Sequence, residues 1–524
     1  MYIHIFKINK ERIMKKFTKL LCLVLALLML VSAFAACGGD SGTTNPGPQN
    51  TPDTDKPATD KPSSGTEDGP ADRNSVKDTV PTTLDFGGEK IVFFVRNDNE
   101  MWKNEMDVEA TTSDTLFDAI YYRNASVEKR LDVTISTIGQ SGTFNASNEW
   151  NSTLRNAVLT NSSDFEAAAI YASTGSALAV EGLYYNVLNI PHINLDKPWW
   201  NQTIRNELTL FDNLYYLGGD IAITETTNGM ALFYNKNLFG EIYPDSDMDL
   251  YKTVNDGAWT IDVLHELVAG AWIDDNNNGV LDDGDTAGLK AANETGGDGG
   301  MDAWIPAMGI KLTTIVDDYP MLTFYDEHTV AAFNKLKNLH KANPGAIVGT
   351  GDGTQFTLGN LLFQRGNLNS GANFRVMEDK YGLLPLPKYD AEQDDYYTTF
   401  DNTSSLIVVL SNCKKLEKVG ATLELMAAES YKQVIPAYFE TCLKGKYSEN
   451  PYDAQMYDRI LSSFVFNFGF CYSTKSLDGV GSLFRDLNGD IAQKYQASKV
   501  KYEKALDDLI DKLDELAWKT SMGE

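Results

Sequence analysis

Beyond Leu84, short apolar runs rich in β-branched residues alternate with segments of helical spacing, and this alternation most limits how the chain can fold. Ser113–Arg130 carries apolar residues at helical spacing. Strands are predicted on either side of it and beyond, at Lys90–Arg96, Val133–Ile138 and Ala167–Tyr171. Because strands that alternate with helices favour a sheet covered by helices, we expect an α/β lobe over about residues 84–228.

A second lobe is predicted over about residues 240–410, where helical patterns dominate. From about residue 229 onward, strands are predicted around Gly229–Tyr234, Gly382–Leu386 and Leu406–Leu410, and helices at Thr260–Ala271, Val330–Lys341 and Leu416–Ser430. Residues 411–524 are predicted as helices that pack across both lobes. The last of them has one apolar face, with Tyr502, Leu506, Leu509, Leu513 and Leu516 at helical spacing. This face favours docking on the chain's own domain over binding a partner.

The N-terminal region has the pattern of an export signal. A basic start after Met14 leads into the apolar run Leu20–Val31 and then into small residues before Cys37. The run is short for the roughly 20 residues that a bilayer span needs. We therefore expect residues 1–36 to be a signal peptide, with translation starting at either Met1 or Met14.

Ala35-Ala36-Cys37-Gly38-Gly39 resembles the lipobox of bacterial lipoproteins. The resemblance implies that Cys37 is acylated, with palmitate or a similar chain, and anchors the protein to the extracellular face of the cytoplasmic membrane. Residues 37–82 are rich in Gly, Ser, Thr, Pro, Asp and Lys, with almost nothing apolar to bury. We expect them to form an unfolded tether with a reach of roughly 35 to 40 Å.

Charge and cysteine content exclude several classes of protein. The 73 Asp and Glu outnumber the 45 Lys and Arg, which gives a net charge of −28 and argues against binding nucleic acid or anionic membranes. Five cysteines in 524 residues exclude a disulfide scaffold. For Cys413, Cys442 and Cys471, buried thiols are favoured, although one bridge stays open.

Several segments in order resemble one family. They are Ala231–Phe239, Asp256–Asp262, Gly382–Tyr389, Ala428–Ser430 and Pro436–Phe439. Together they are similar to the extracellular solute-binding proteins of ABC importers, most of all to the family-1, sugar-type branch of Gram-positive bacteria. The resemblance implies a two-lobed, periplasmic-binding-protein-like fold (type II) with a hinge. It further implies a monomer that captures a carbohydrate, with an oligosaccharide favoured, an ABC permease as partner and no chemistry on the ligand.

Ligand-binding residues are expected after the strands and near the hinge, where aromatic rings can stack on sugars and polar groups can take hydroxyls. The candidates are Asn97, Asp98, Trp102, Ser173, Ser176, Trp199, Trp200, Asn228, Trp304 and Asn373. Each tryptophan has a core position as its alternative. Adjacent Trp199 and Trp200 cannot easily both be buried on one face, which favours one of them as a sugar platform.

One loop has the spacing of a calcium site. Counted from Asp274, the EF-hand register places the turn glycine at Gly279. The oxygen ligands would come from Asp274, Asn276, Asn278, Val280 (backbone carbonyl), Asp282 and Asp285. The closing Asp in place of Glu resembles dockerin-type loops. We expect a structural Ca²⁺ here, with a solvated acidic turn as the alternative.

Catalytic motifs are missing from the sequence. His265–Ala269 begins like a zinc-protease helix but lacks the second histidine, and no nucleophile elbow or Walker loop occurs. We therefore expect a binding protein and not an enzyme. Two alternatives stay open: a secreted carbohydrate-active hydrolase, because paired carboxylates cannot be assigned from sequence, and a binding protein for a peptide or another polar solute.

Overall fold

Two separate β-sheets, each with helices packed on it, form the centre of the protein. The computed structural model describes residues 73–291, 301–348, 353–401, 403–443, 451–474 and 476–522. The signal peptide, Cys37 and most of the tether lie outside these residues, as does the side chain of Cys442. Among the described residues, no helix combines the length and apolarity needed to cross a membrane.

The strands and helices are numbered here in chain order. The strands are β1 Glu89–Arg96, β2 Val133–Gln140, β3 Ala167–Tyr171, β4 Met230–Asn235, β5 Ala287–Ala291, β6 Thr313–Val316, β7 Tyr319–Leu322, β8 Ala346–Val348, β9 Leu361–Asn367, β10 Tyr381–Leu384 and β11 Ser405–Val409. The α-helices are α1 Glu100–Asn104, α2 Thr115–Leu131, α3 Ser147–Leu159, α4 Ala172–Gly175, α5 Gln202–Leu208, α6 Ile223–Thr227, α7 Lys236–Ile242, α8 Leu250–Asn255, α9 Ile261–Ala269, α10 Trp304–Ala307, α11 Glu327–Lys337, α12 Thr354–Thr357, α13 Ser370–Phe374, α14 Leu416–Glu429, α15 Ile435–Leu443, α16 Pro451–Ser462, α17 Phe468–Tyr472, α18 Ser482–Arg485 and α19 Ile491–Met522.

Lobe 1 is built on a sheet of order β11-β3-β1-β2. β1 runs parallel to β2 and β3, and its run of buried apolar residues suits a central strand covered on both faces. β11 pairs antiparallel to β3. Assigning Leu406–Leu410 to lobe 2 was therefore wrong. This wholly buried strand covers the edge of β3, and the chain returns from lobe 2 to reach it.

Lobe 2 is built on a sheet of order β10-β4-β9-β5-β8. β4 pairs antiparallel with β10 and β9, so lobe 2 begins about ten residues before the predicted boundary at 240. Helix α9 starts where Thr260 caps it and packs near β5. The indole of the buried Trp259 donates to the carbonyl of Pro385 at 3.0 Å, which fastens the start of this helix to the chain beyond β10.

Three described segments cross between the lobes side by side: residues 228–230, 398–401 and 463–465. Met230 N–H donates to Thr399 O at 2.9 Å, and Asp401 N–H donates to Asn228 O at 2.9 Å. Val465 N–H donates to Thr398 O at 2.8 Å, which joins the third segment to the second. The crossings therefore form one hydrogen-bonded band.

A buried polar network fixes this band to lobe 1. The carboxylate of Glu105 accepts from the hydroxyls of Thr224 at 2.9 Å and of Ser405. Arg96 at the end of β1 donates to the same Ser405 hydroxyl at 2.7 Å. Thr224 precedes the first crossing segment and Ser405 follows the second, so the network holds both where they enter lobe 1.

Helices of the C-terminal region contact both lobes. α14 packs on α2 of lobe 1, whereas α16 packs on β10 of lobe 2. At the other end, residues before the predicted end of the tether at 82 already pack on lobe 1. Val80 is buried, and Arg130 donates to the carboxylate of Asp78 at 3.1 Å, so these residues belong to the folded part.

Trp199 and Trp200 are both buried, so neither is the sugar platform that the sequence favoured. Both can be buried because their side chains enter different surroundings. Trp199 lies 6.2 Å from the ring of Tyr431, and the indole of Trp200 donates to Glu424 on α14 at 2.9 Å.

Burial raises the pKa of Glu424 to about 7, against the hydrogen bonds from Asn194 N–H and Trp200 that favour its ionised form. A folded-state pKa above the unfolded value of about 4.3 contributes stability that is complete below pH 4 and is lost as the pH rises through 7. We therefore expect the free energy of unfolding of the wild type to fall by about 2 kcal/mol more between pH 5 and pH 8 than that of Glu424→Gln.

Urea unfolding at several pH values measures this difference. Glu149→Gln, at an exposed position on α3, should follow the wild-type curve. Parallel curves for the wild type and Glu424→Gln would show that Glu424 does not titrate in this range.

Candidate ligand-binding cleft

A cleft opens between the two lobes next to the crossing band, and it has two compartments that share lining residues. The first holds about 910 Å³ of empty space and the second about 500 Å³, both counted with the space open to solvent. Met230 and Asp401, both on the crossing band, border each compartment.

The first space, here called the apolar compartment, is lined from both lobes. Lobe 1 contributes residues that follow β3, lobe 2 contributes the segment around α10, and the second and third crossing segments supply aromatic rings. Its lining is Ala172, Ser173, Met230, Asp302, Ala303, Pro306, Gly309, Ile310, Lys311, Tyr397, Thr399, Phe400, Asp401, Val465, Phe466, Asn467, Phe470 and Cys471.

Most polar side chains of the apolar compartment are engaged by the protein itself. Both carboxylate oxygens of Asp302 accept from Arg485, at 2.8 and 2.6 Å. The Asn467 amide donates to Thr313 O at 2.9 Å and accepts from Gly469 N–H at 3.0 Å. Such a wall offers a ligand few unoccupied polar partners.

The second space, here called the polar compartment, has a different wall. It is lined by Met230, Gly353, Gln364, Arg365, Gly366, Asn367, Ser370, Asn373, Phe374 and Asp401, which come mainly from β9 and α13. Gln364 is 9 % exposed, and its Nε2 donates to Arg365 O at 2.7 Å. Its Oε1 has no hydrogen-bond partner among the described residues. Because Nε2 faces a carbonyl oxygen, the amide orientation is fixed and Oε1 is a buried acceptor without a donor.

Asp401 is the acidic group common to both compartments. Its Oδ1 accepts from Thr403 N–H at 2.7 Å, which holds the side chain on the turn before β11. The guanidinium groups of Arg96 and Arg485 both interact electrostatically with it. A carboxylate held this way is a strong acceptor for hydroxyl or ammonium donors.

Charged groups behind the lobe 1 wall are strongly affected by burial. Burial lowers the pKa of Arg96 to about 10, although Glu105 and other acidic groups nearby oppose the shift. Burial also raises the pKa of Tyr171 to about 12. Both groups keep their ordinary protonation at neutral pH, so a charged guanidinium lies beside a neutral phenol behind this wall.

Two of the ten predicted ligand residues line the cleft. Ser173 borders the apolar compartment and Asn373 the polar one. Asn228 lies on the first crossing segment, where its amide donates to Thr403 Oγ1 at 3.3 Å. Ser176 is buried and donates to Cys471 O at 2.8 Å, so its hydroxyl serves packing around the cleft.

The residues predicted after β1 and the buried tryptophans are not among the residues that line the two compartments. Asp98 accepts from Ser141 at 2.6 Å, Asn97 is exposed, and Trp102 lies over the Arg96 guanidinium at 4.2 Å. Trp199, Trp200 and Trp304 are core residues with no exposed ring face to offer a sugar.

Sequence reasoning missed the residues that form the aromatic wall of the cleft and its buried acceptor. Tyr397, Phe466 and Phe470 lie on segments that carry no recognisable motif, and Gln364 looks like an ordinary strand residue. A signal was available in Phe464–Phe470, where aromatic residues recur at every second position. In an extended segment this spacing places the rings on one face, where they can form a wall.

The predicted calcium loop forms a closed turn. The amides of Asn276 and Asn278 both donate to the Asp282 carboxylate, at 3.0 and 2.7 Å, and Gly279 has the positive φ of +74° that the register requires. Asp285 is buried and accepts from Trp272 at 3.3 Å and from Asp275 N–H at 3.2 Å. In the described parts of the chain, no group of three or more His, Cys, Asp or Glu side chains is close enough to hold a metal ion.

Comparison with known proteins identifies the fold. No family model and no curated protein matches the sequence. Among solved structures, the GacH receptor of Streptomyces glaucescens, determined with acarbose, has a TM-score of 0.51 at 14% identity and covers 80% of this chain and 99% of its own. A cyclo/maltodextrin-binding protein complexed with maltotetraose has a TM-score of 0.52 at 14% identity, with 82% and 97% covered.

UgpB from Mycobacterium tuberculosis, in complex with glycerophosphocholine, also has a TM-score of 0.52, at 13% identity, and covers 81% of this chain and 100% of its own. Likeness at such low identity shows a common fold. The chain therefore has the two-lobed, periplasmic-binding-protein-like α/β fold that the sequence predicted, and its cleft lies between the lobes of that fold.

Proposed function

We propose that the protein is the solute-binding component of an ABC importer and captures a carbohydrate in the cleft between its lobes. The cleft carries the proposal, because both lobes and the crossing band contribute to its walls. Lobes that move about such a band can close on a ligand and bury it. The similar folds with bound acarbose, maltotetraose and glycerophosphocholine support this use of the cleft.

The chemistry of the cleft also supports a neutral polyol as ligand. Asp401 and Gln364 can accept hydrogen bonds from hydroxyls, while half-buried rings such as Phe466 and Phe470 can pack against the apolar parts of the ligand. A peptide or another polar solute is the runner-up, and it gains support from the neighbour that binds glycerophosphocholine.

Export and membrane attachment complete the proposal. Residues 1–36 act as the signal, Cys37 carries the lipid, and the tether holds the folded part outside the cytoplasmic membrane. The partner is an ABC permease, to which a monomeric, closed and loaded protein delivers its ligand. The protein does not alter the ligand. Asp302 lies in the cleft, but both its oxygens are held by Arg485, which leaves a poor general acid or base.

A thermal-shift screen over mono- and oligosaccharides tests the proposal. A ligand bound by the folded state raises the unfolding midpoint, and we expect at least one sugar to do so. Asp401→Asn should weaken binding of that sugar by about 10- to 150-fold, because an ionised acceptor is lost. Asp508→Asn, at an exposed position on α19, is the matched control.

Three outcomes would contradict the proposal in different ways. A shift with peptides and none with sugars would favour the runner-up. If Asp401→Asn binds the sugar as tightly as the wild type, the ligand does not bind at Asp401 in the cleft. Sustained release of smaller products from incubated glycans would identify a hydrolase.

We further propose that the loop from Asp274 to Asp285 binds Ca²⁺ as a structural ion. Support comes from the convergence of Asn276 and Asn278 on Asp282, since these are the third, fifth and ninth positions of the register. The carboxylates of Asp274 and Asp282, the two amides and the Val280 carbonyl would hold the ion. Asp285 would join them after releasing its present donors.

Calorimetry on chelator-treated protein measures this binding. We expect a Kd of roughly 10⁻⁴ to 10⁻³ M for Ca²⁺, a higher unfolding midpoint with it, and loss of both in Asp282→Ala. Asp256→Ala, at an exposed position outside the loop, serves as control. An absence of heat and of any midpoint change would leave the loop as a solvated turn.

A further inference from the structure

We infer that the cleft binds an amphipathic glycoside, with a sugar in the polar compartment and an apolar group in the apolar compartment. This inference rests on the proposed capture of a carbohydrate and specifies what else the ligand carries. It comes from the chemical contrast between two spaces that meet at Met230 and Asp401.

The apolar compartment cannot serve a second sugar well. Most of its polar side chains, buried or half-buried, already have partners in the protein: Asp302 is held by Arg485, Asn467 by the Thr313 and Gly469 backbone, Thr399 Oγ1 donates to Phe400 O at 3.3 Å, and the Ser173 hydroxyl hydrogen-bonds to Tyr171. Lys311 is exposed at the mouth. Each sugar hydroxyl buried here without a partner would lower affinity by about 5- to 150-fold.

Aromatic and aliphatic side chains dominate the rest of this wall. Phe400 and Ile310 are buried, whereas Tyr397, Phe466 and Phe470 are half-buried and keep part of their surface open to the cleft. The ring of Phe466 lies 5.5 Å from that of Phe400. An apolar ring of the ligand, placed beside these side chains, buries apolar area and leaves no hydroxyl without a hydrogen-bond partner.

The polar compartment, in contrast, contains a polar group that lacks a hydrogen-bond partner. Gln364 Oε1 is a buried acceptor without a donor, and such a group is costly unless something supplies a hydrogen bond. A sugar hydroxyl is such a donor. Asn373 is exposed on the same wall, and its amide can both donate and accept. These groups match a hydroxyl-rich ring of one sugar.

Asp401 lies where the two spaces meet. A carboxylate at this point accepts from a hydroxyl of the sugar and keeps the polar end from sliding toward the aromatic wall, where it would have no partners. The bond that joins the sugar to its apolar group therefore lies beside the crossing band, with one end of the ligand in each compartment.

Isothermal titration with matched glycosides tests the inference. The probes are methyl and phenyl glycosides of glucose, galactose, mannose and N-acetylglucosamine, with maltose, cellobiose and lactose as sugar-only comparators. For at least one sugar, we expect the phenyl glycoside to bind at least about tenfold more tightly than both its methyl glycoside and the disaccharides.

Two variants test which end of the ligand lies in which compartment. Phe466→Ala should lower the affinity for that phenyl glycoside by about tenfold and leave its methyl glycoside within about twofold, because only the apolar end meets this ring. Gln364→Leu should lower the affinity for both by a similar factor, about 2- to 13-fold. Phe466→Leu, which keeps apolar volume, checks that the wall still folds and should show a smaller loss.

The outcomes separate this inference from the proposed function. If a disaccharide binds as tightly as the best phenyl glycoside, or if Phe466→Ala weakens methyl and phenyl glycosides equally, the amphipathic ligand is wrong while carbohydrate capture stands. If no probe of the panel binds, both proposals fall. If Gln364→Leu and the wild type bind the glycosides with equal affinity, the sugar does not lie in the polar compartment.

Discussion

Backbone hydrogen bonds between the three crossing segments are the constraint on which the rest of the structure depends. They join residues 228–230, 398–401 and 463–465 into one band, and the carboxylate of Glu105 fixes that band to lobe 1 through Thr224 and Ser405. Since Met230 and Asp401 belong to the band, the same bonds that link the lobes also place the centre of the cleft. The band that joins the two lobes is therefore also part of the proposed ligand site.

The two compartments differ because of where their polar groups find partners. In the apolar compartment the protein satisfies its own polar side chains, as the double hydrogen bond between Arg485 and Asp302 illustrates. In the polar compartment the Gln364 acceptor is left for the ligand. Selectivity in such a cleft comes from the cost of leaving groups unpaired, which is larger than the gain from any single added contact.

Much of the fold follows from local sequence patterns. Ala167–Tyr171 is a strand with the predicted bounds, and Ser113–Arg130 closely matches helix α2, because burial on both faces or on one face leaves a clear periodicity. β11 was recognised as a strand and placed in the wrong lobe. Periodicity reports which face is buried and carries no information on which sheet a strand joins.

The cleft was less predictable for the same reason. Ser173 and Asn373 were found because they follow elements that end at the cleft, whereas Gln364 and Phe466 acquire their role from packing between distant segments. The tryptophans misled, since an indole serves a core as well as a sugar platform, and Trp200 found its partner in Glu424, over 200 residues away.

A crystal structure of the protein with the sugar or glycoside that gives the largest thermal shift tests the central claim most directly. The account predicts density for the ligand between the lobes, within hydrogen-bond distance of both Asp401 and Gln364. Density on an outer surface of either lobe, with the cleft filled by water alone, would contradict it.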